Sequence, residues 1–127
     1  MRPRSVHSDD APAAIGPYSQ AIRAGDLLFC SGQIGLDPTS GKLVSDDVVE
    51  QAGQVMKNLK AVLAAAGADL TRVAKTTIYL TDLGNFGKVN EVYGSFFDSD
   101  PPARATVQVS ALPLGARVEV EAVAVLG

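Results

Sequence analysis

Two segments near the end of the chain alternate polar side chains with small or apolar ones. The polar positions are Arg104, Thr106 and Gln108 in the first segment, and Arg117, Glu119 and Glu121 in the second. Because successive side chains of a strand point to opposite faces, each polar set shares one face of its strand. A guanidinium offers a planar fork that binds a carboxylate through two parallel hydrogen bonds. A glutamate beside it can hold or deprotonate a water molecule, so the pattern is compatible with hydrolysis of a small organic acid.

The surroundings of these two strands leave two interpretations open. If both strands turn their apolar residues toward helices, both polar sets lie on the helix-free face of the sheet. That face can simply meet water, and Arg104 and Glu119 then form a cross-strand ion pair worth under about 1 kcal/mol. However, Val123 and Val125 continue the same face as apolar residues. An apolar continuation indicates that part of the face is covered, and another subunit is the simplest cover.

Other reactive side chains are weaker candidates. Cys30 lies between Phe29 and Ser31, and no histidine is placed to activate it, which favours a buried, unreactive thiol. Lys75 is interpreted as a solvated strand lysine, which is far commoner than a Schiff-base lysine. Tyr18 follows Gly16 and Pro17, where the sequence fits an anchoring role and simple packing equally well.

The composition limits the classes of partner. A chain of 127 residues with 46 % hydrophobic content predicts one domain, and residues 1–14 are interpreted as a mobile or loosely docked arm that contains His7. The net charge of −3 leaves no basic field for nucleic acid or anionic lipid. One cysteine and one histidine exclude an internal disulfide and give too few ligands for a zinc site, which favours the reducing cytoplasm. No apolar stretch approaches the roughly 18 residues of a membrane span.

Periodicity predicts the elements that position these residues. The expected order is β-β-α-β-α-β-β, with strands at 19–23, 27–31, 73–81, 103–109 and 117–126 and helices over 48–66 and 86–97. Ser45 or Asp46 is expected to cap the first helix and Gly67 to end it. Gly25 is expected to form the first hairpin turn with a positive φ. Strands and helices in this order predict an α+β fold with one sheet covered on a single face.

The chain also resembles the RidA/YjgF family of reactive-intermediate deaminases across nearly its whole length. The matching stretches are 11–20 (APAAIGPYSQ), 31–34 (SGQI), 75–77 (KTT), Val89-Asn90 with Tyr93, Phe96-Phe97, 102–105 (PARA) and 117–124 (RVEVEAVA). Their order and spacing make the resemblance specific. It implies a chorismate-mutase-like α+β fold, with one mixed sheet and two helices on one face. It also implies a trimer with ligand clefts at the subunit interfaces.

The resemblance implies hydrolysis of 2-imino acids, which arise from enamines such as 2-aminoacrylate, to 2-keto acids and ammonia, without a metal or cofactor. By motif, Arg104 would bind the substrate carboxylate and Glu119 would position the attacking water. The remaining implied site residues are Tyr18 in the catalytic set and Gly32, Asn90 and Thr106 along the cleft. Thr106 stands where some members of the family have cysteine, which excludes thiol-based regulation at that position.

Two other functions stay open at this point. A cleft that binds a 2-keto acid or another small carboxylate without turnover would make the protein a sensing or regulatory module. RNA cleavage or inhibition of translation is also associated with the family, but the acidic charge and the absence of a basic stripe argue against nucleic acid as a partner.

Overall fold

A six-stranded mixed sheet organises residues 2–127, which are the residues that this computed structural model describes. The elements in chain order are β1 (Arg4–Val6), β2 (Ala21–Ala24), β3 (Leu27–Ile34), α1 (Val48–Ala65), β4 (Val73–Leu80), α2 (Phe86–Gly94), β5 (Ala103–Gln108) and β6 (Val118–Val125). The strands lie in the order β1-β2-β3-β6-β4-β5. Only β4 and β5 are parallel. The predicted α+β class, with one mixed sheet and two helices, is confirmed.

The two helices and the sheet enclose the main core. From the sheet the core takes Leu28, Ile78, Leu80, Val118 and Val120, and from α1 it takes Val55, Leu59 and Leu63. Burial of each such side chain contributes about 1.5–3 kcal/mol. Tyr93 on α2 is also buried, and its hydroxyl lies 2.7 Å from the hydroxyl of buried Thr76. The bond satisfies both polar groups, so α2 can lie on the sheet without an unpaired phenol.

The predicted C-terminal end of α1 is confirmed, but the predicted N-cap is one or two residues too early. Asp47, not the predicted Ser45 or Asp46, is the N-cap, and its side chain accepts a hydrogen bond from the backbone N–H of Glu50. The Ser45 hydroxyl donates instead to the Glu50 carboxylate. Gly67 ends the helix as predicted, with a φ of 76° that glycine adopts without strain. Gly25 likewise has the predicted positive φ, at 62°.

The predicted N-terminal arm is a docked part of the sheet. Arg4–Val6 form β1, which pairs antiparallel with β2. Buried Gln20 accepts a hydrogen bond from the Ser8 backbone N–H at 2.6 Å and donates to the carbonyls of Ser8 and Pro12. The prediction of a mobile or loosely docked arm is therefore wrong. A three-residue strand is too short to show periodicity, and a glutamine that satisfies three backbone groups leaves no hydrophobic pattern.

The last two strands are not neighbours. β4 lies between them, because α2 connects β4 to a parallel β5 and β6 enters the sheet between β3 and β4.

No helix within residues 2–127 is long and apolar enough to cross a lipid bilayer.

Candidate active site

Arg104 projects from the helix-covered face of the sheet. In the β4–β5 ladder it lies opposite Thr76, and Thr106 lies opposite Ile78. Thr76 and Ile78 are both fully buried under the helices. Residues paired across a ladder share a face, so Arg104, Thr106 and Gln108 occupy the same face as the helices. The prediction that both polar sets share the helix-free face is wrong for this strand.

The helix-covered position at the sheet edge gives Arg104 a defined environment. Its Nη1 donates a hydrogen bond to Oδ1 of Asn90 at 2.8 Å. Its guanidinium carbon lies 5.5 Å from the ring centroid of Phe86 and 5.3 Å from that of Tyr93. Contacts of this kind with an aromatic ring contribute about 0.5–1 kcal/mol each at exposed sites. The three α2 side chains therefore hold the guanidinium in one orientation.

Among residues 2–127, no carboxylate lies within salt-bridge distance of Arg104. Its fork still has donors that Asn90 does not use, and the residue remains exposed. Nearby on the same strand face, the Thr106 hydroxyl is buried and has no hydrogen-bond partner within the described part of the chain. A buried unpaired hydroxyl is uncommon and calls for a partner. We call Arg104, Asn90, Thr106, Phe86 and Tyr93 the arginine cluster.

Glu119 lies on the opposite, helix-free face. Its neighbours along β6, Val118 and Val120, are buried in the core, and Glu119 itself pairs across the ladder with Tyr79 of β4. The carboxylate is about half-buried. Burial raises its pKa above the usual glutamate range, and the negative charge of Glu121 raises it further. Glu119 is therefore a stronger base than an exposed glutamate.

Gly32 allows β3 to approach this carboxylate. A Cβ at position 32 would lie 2.6 Å from Oε2 of Glu119, so any side chain here would displace the carboxylate. The ladder between β3 and β6 is irregular between Cys30 and Gln33, which brings the Gly32 backbone over Glu119.

A cavity of about 40 Å³ opens beside Gly32 and Glu119, and Tyr18 is part of its wall. The Tyr18 side chain is 46 % exposed, and its hydroxyl accepts a hydrogen bond from the Ile15 backbone N–H at 3.2 Å. We call Tyr18, Gly32 and Glu119 the glutamate cluster.

The predicted site residues thus form two separate groups within one chain. Arg104, Asn90 and Thr106 come together, as do Tyr18, Gly32 and Glu119, but the two clusters lie on opposite faces of the sheet. This arrangement excludes the cross-strand ion pair between Arg104 and Glu119. The sequence analysis assigned no role in the site to Phe86 or Tyr93. Their spacing of four and three residues from Asn90 places all three on one side of α2, and that spacing is the signal that could have identified them.

The other reactive side chains remain outside both clusters. Cys30 is buried on the helix-covered face, and desolvation raises its pKa to about 12, which leaves the thiol protonated and unreactive. Lys75 is exposed on β4. Within residues 2–127, no group of three His, Cys, Asp or Glu side chains is placed to hold a metal ion.

Known proteins resemble this chain over almost its full length. The family described as endoribonuclease L-PSP matches residues 8–126. Protein DfrA of Myxococcus xanthus is 61 % identical, and the alignment covers 98 % of this chain and 97 % of that protein. The 2-iminobutanoate/2-iminopropanoate deaminase of Mus musculus is 54 % identical, with 96 % of this chain and 90 % of the mouse protein covered.

The fold agrees with these sequence relationships. The crystal structure of E. coli TdcF with bound serine matches the chain with a TM-score of 0.93 and 40 % identity, and the match covers 98 % of this chain and 99 % of TdcF. At this identity and coverage, sequence and structure agree on one assignment. The chain belongs to the endoribonuclease L-PSP family, which is the RidA/YjgF family that its sequence motifs resemble.

Proposed function

We propose that the protein hydrolyses 2-imino acids to 2-keto acids and ammonia, in clefts where the arginine cluster of one copy faces the glutamate cluster of a neighbouring copy. The observation that carries the proposal is the division of the six implied site residues between two faces of one sheet. Each cluster has the chemistry for half of the reaction, and neither is complete alone. The mouse relative that is named a 2-iminobutanoate/2-iminopropanoate deaminase supports the choice of substrate.

The arginine cluster is suited to bind and orient the substrate. Asn90 takes up one N–H of Arg104, and the rings of Phe86 and Tyr93 fix the plane of the guanidinium. The unused N–H groups can bind a carboxylate in a bidentate pair. The buried, unpaired hydroxyl of Thr106 offers a further donor to the same ligand. A fixed carboxylate sets the position of the adjacent imine carbon, which reduces the entropic part of the barrier.

The glutamate cluster is suited to activate water. Glu119 accepts a proton from water as the oxygen attacks the imine carbon, and it returns that proton to the imine nitrogen to give a carbinolamine. Glu119 then takes the hydroxyl proton of the carbinolamine and delivers it to the amine nitrogen, so that the C–N bond breaks and ammonia leaves as the carbonyl forms. The raised pKa of Glu119 makes it a better proton acceptor, and its protonated form can return the proton to the leaving nitrogen. Tyr18 stands at the wall of the same cavity, where its hydroxyl can contact substrate or water.

A trimer would bring the two clusters together. The helix-free face exposes apolar side chains that a single chain does not cover; they include Leu27, Phe29, Val107 and Val125. Phe29 is 46 % exposed and Val107 is 42 % exposed. Burial of this surface between copies would stabilise the assembly, and a cyclic arrangement repeats the same contact at each interface.

The test is direct measurement of imine hydrolysis. An amino-acid oxidase generates 2-iminopropionate from alanine, and semicarbazide traps the imine that remains, so a hydrolase lowers the yield of semicarbazone. We expect the wild-type protein to lower the yield, Arg104→Ala to abolish the effect, and Arg72→Ala, a control on the short turn before β4, to retain it. A wild-type protein that leaves the semicarbazone yield unchanged would contradict the proposal.

Binding without turnover is a second candidate function. The arginine cluster is sufficient to hold a small carboxylate, and the TdcF structure contains serine, an amino acid. Calorimetric titration with 2-oxobutyrate, beside the hydrolysis assay, separates the two functions. Heat of binding together with an unchanged semicarbazone yield would favour the binding module.

A further inference from the structure

A tyrosine and a second glutamate lie beside Glu119 on the helix-free face. Tyr79 is the cross-strand partner of Glu119, and Thr77 is the cross-strand partner of Glu121. Glu121 follows Glu119 by two residues, so both carboxylates share one face of β6. The hydroxyl of Tyr79 donates a hydrogen bond to Oε1 of Glu121. The phenol therefore spans diagonally from the Glu119 position to the next carboxylate along the strand.

The groups around Glu119 come from β6, β4, β3 and the segment that precedes β2. From its own strand it faces Glu121, and from β4 it faces Tyr79. Arg117, two residues before Glu119, has its guanidinium 3.9 Å from the Asp46 carboxylate. From β3 Glu119 faces Gly32 and Ile34, which carry no ionisable group. Tyr18 shares its cavity. In the assembled cleft proposed above, Arg104 of a neighbouring copy would be added.

The hydrogen bond from Tyr79 restricts where the Glu121 carboxylate can lie. A free glutamate on an open sheet face samples several rotamers, and most of them carry its charge into solvent. A bond to a side chain that stands next to Glu119 restricts Glu121 to rotamers near β4. A negative charge fixed near Glu119 opposes ionisation of Glu119, because like charges disfavour each other.

We propose that Tyr79 is a positioning residue for the water-activating glutamate: its hydrogen bond holds the negative charge of Glu121 beside Glu119. The proposal rests on the proposed function for its catalytic consequence, but the electrostatic relationship is independent of any substrate. Hydrogen bonding to Glu121 also raises the pKa of Tyr79 itself, so the phenol keeps its proton and remains the donor at neutral pH.

The test follows the titration of Glu119 in three variants. Glutamate side-chain carboxyl carbons labelled with ¹³C are observed by NMR across pH in wild type, Tyr79→Phe, Glu121→Gln and the double variant. Loss of the Glu119 resonance in Glu119→Gln assigns it. Imine hydrolysis is measured over the same pH range. The phenylalanine keeps the ring, and the glutamine keeps the shape, so the fold is preserved; circular dichroism checks this.

We expect the Glu119 titration to move to lower pH in Tyr79→Phe, and further in Glu121→Gln. The double variant should titrate like Glu121→Gln, because the tyrosine acts only through that carboxylate. The acid limb of the rate profile should move in the same direction, while the plateau rate falls by less than about tenfold. Asp98→Asn is the control: it removes a similar charge from the loop after α2, beside a separate surface cavity. It should change neither the Glu119 titration nor the acid limb of the rate profile.

Two results would overturn the inference. One is an unchanged Glu119 titration in Tyr79→Phe, whatever Glu121→Gln does. The other concerns the double variant: if its Glu119 titration lies below that of Glu121→Gln by as much as Tyr79→Phe alone shifts it, the tyrosine acts on Glu119 directly. If the titration moves as expected but the wild-type protein hydrolyses no imine, the proposed function fails and the electrostatic role of Tyr79 stands.

Discussion

Arg104 and Glu119 project from opposite faces of the same sheet, on strands that β4 separates. No rotamer change can bring one side chain to the other within a single copy. If both act on one substrate molecule, they must come from two copies of the chain.

This relationship predicts that two inactive variants restore activity when they are mixed. Arg104→Ala and Glu119→Gln should each be inactive alone. After unfolding and refolding together at equal concentration, an interface is intact when the arginine comes from one variant and the glutamate from the other. Random assembly of a ring gives about one quarter of wild-type imine hydrolysis. Variants refolded separately and then combined are the control, and no recovery in the co-refolded sample would assign both residues to one chain or to no common site.

Removal of the Asn90 amide should weaken substrate binding. Without the bond to Nη1, the guanidinium of Arg104 gains rotamer freedom, and ordering it again costs about 1 kcal/mol. We expect Asn90→Ala to raise KM about fivefold with a smaller change in kcat. Asn85→Ala is the matched control, because Asn85 precedes α2 and its side chain makes no capping bond. Equal kinetics for the two variants would show that Asn90 does not orient the arginine.

A methyl group at position 32 should remove activity without unfolding the protein. The added Cβ would lie 2.6 Å from the Glu119 carboxylate, whose flexible side chain can move away. A displacement of about 1 Å at a reacting group can lower the rate about 100-fold. In Gly53→Ala, by contrast, the new methyl meets nothing within 4 Å inside α1. That control should keep its rate and gain about 0.5–1 kcal/mol of unfolding free energy in urea denaturation.

The buried thiol of Cys30 should remain unreactive in the folded protein. Its pKa is raised to about 12 from 9.0, so the folded form stays protonated while the unfolded form ionises. Stability should therefore fall as pH rises from about 9 toward 12, since the folded state then binds more protons than the unfolded state. Iodoacetamide at pH 9 should label the protein only in denaturant, as read by intact mass. Rapid labelling of the native protein would contradict the burial.

The sequence allowed the core elements to be predicted well, because long periodic segments report directly on burial. The stripe from Val48 to Ala66 and the alternation of β6 both correspond to the structure. β1 was missed because three residues carry no periodicity. The position of β6 was missed because chain order suggests a hairpin with β5, whereas the strand–helix–strand connection from β4 to β5 requires a parallel pair.

The face of Arg104 was predicted wrongly for a related reason. Alternation shows which residues of a strand share a face, but not which face is covered. The rule that polar residues face water is weak for β5, which lies at the edge of the sheet. There α2 provides Asn90 and two aromatic rings as partners for the charged side chain of Arg104. The pairing of Arg104 with buried Thr76, which decides the face, is a long-range fact that local pattern does not contain. The roles of the individual site residues remain predictions.

The Gln20 side chain joins the first dozen residues to the sheet through one amide, which receives one hydrogen bond and gives two. Deamidation would exchange its NH₂ for an oxygen, so that two attractive contacts with the carbonyls of Ser8 and Pro12 would become repulsive. Deamidation of Gln20 would therefore weaken the attachment of the N-terminal segment to the sheet. It would also release Pro12 and Ala13, which line the Glu119 cavity. In a protein sample stored for a long time, this side of the cavity should open while the core stays folded.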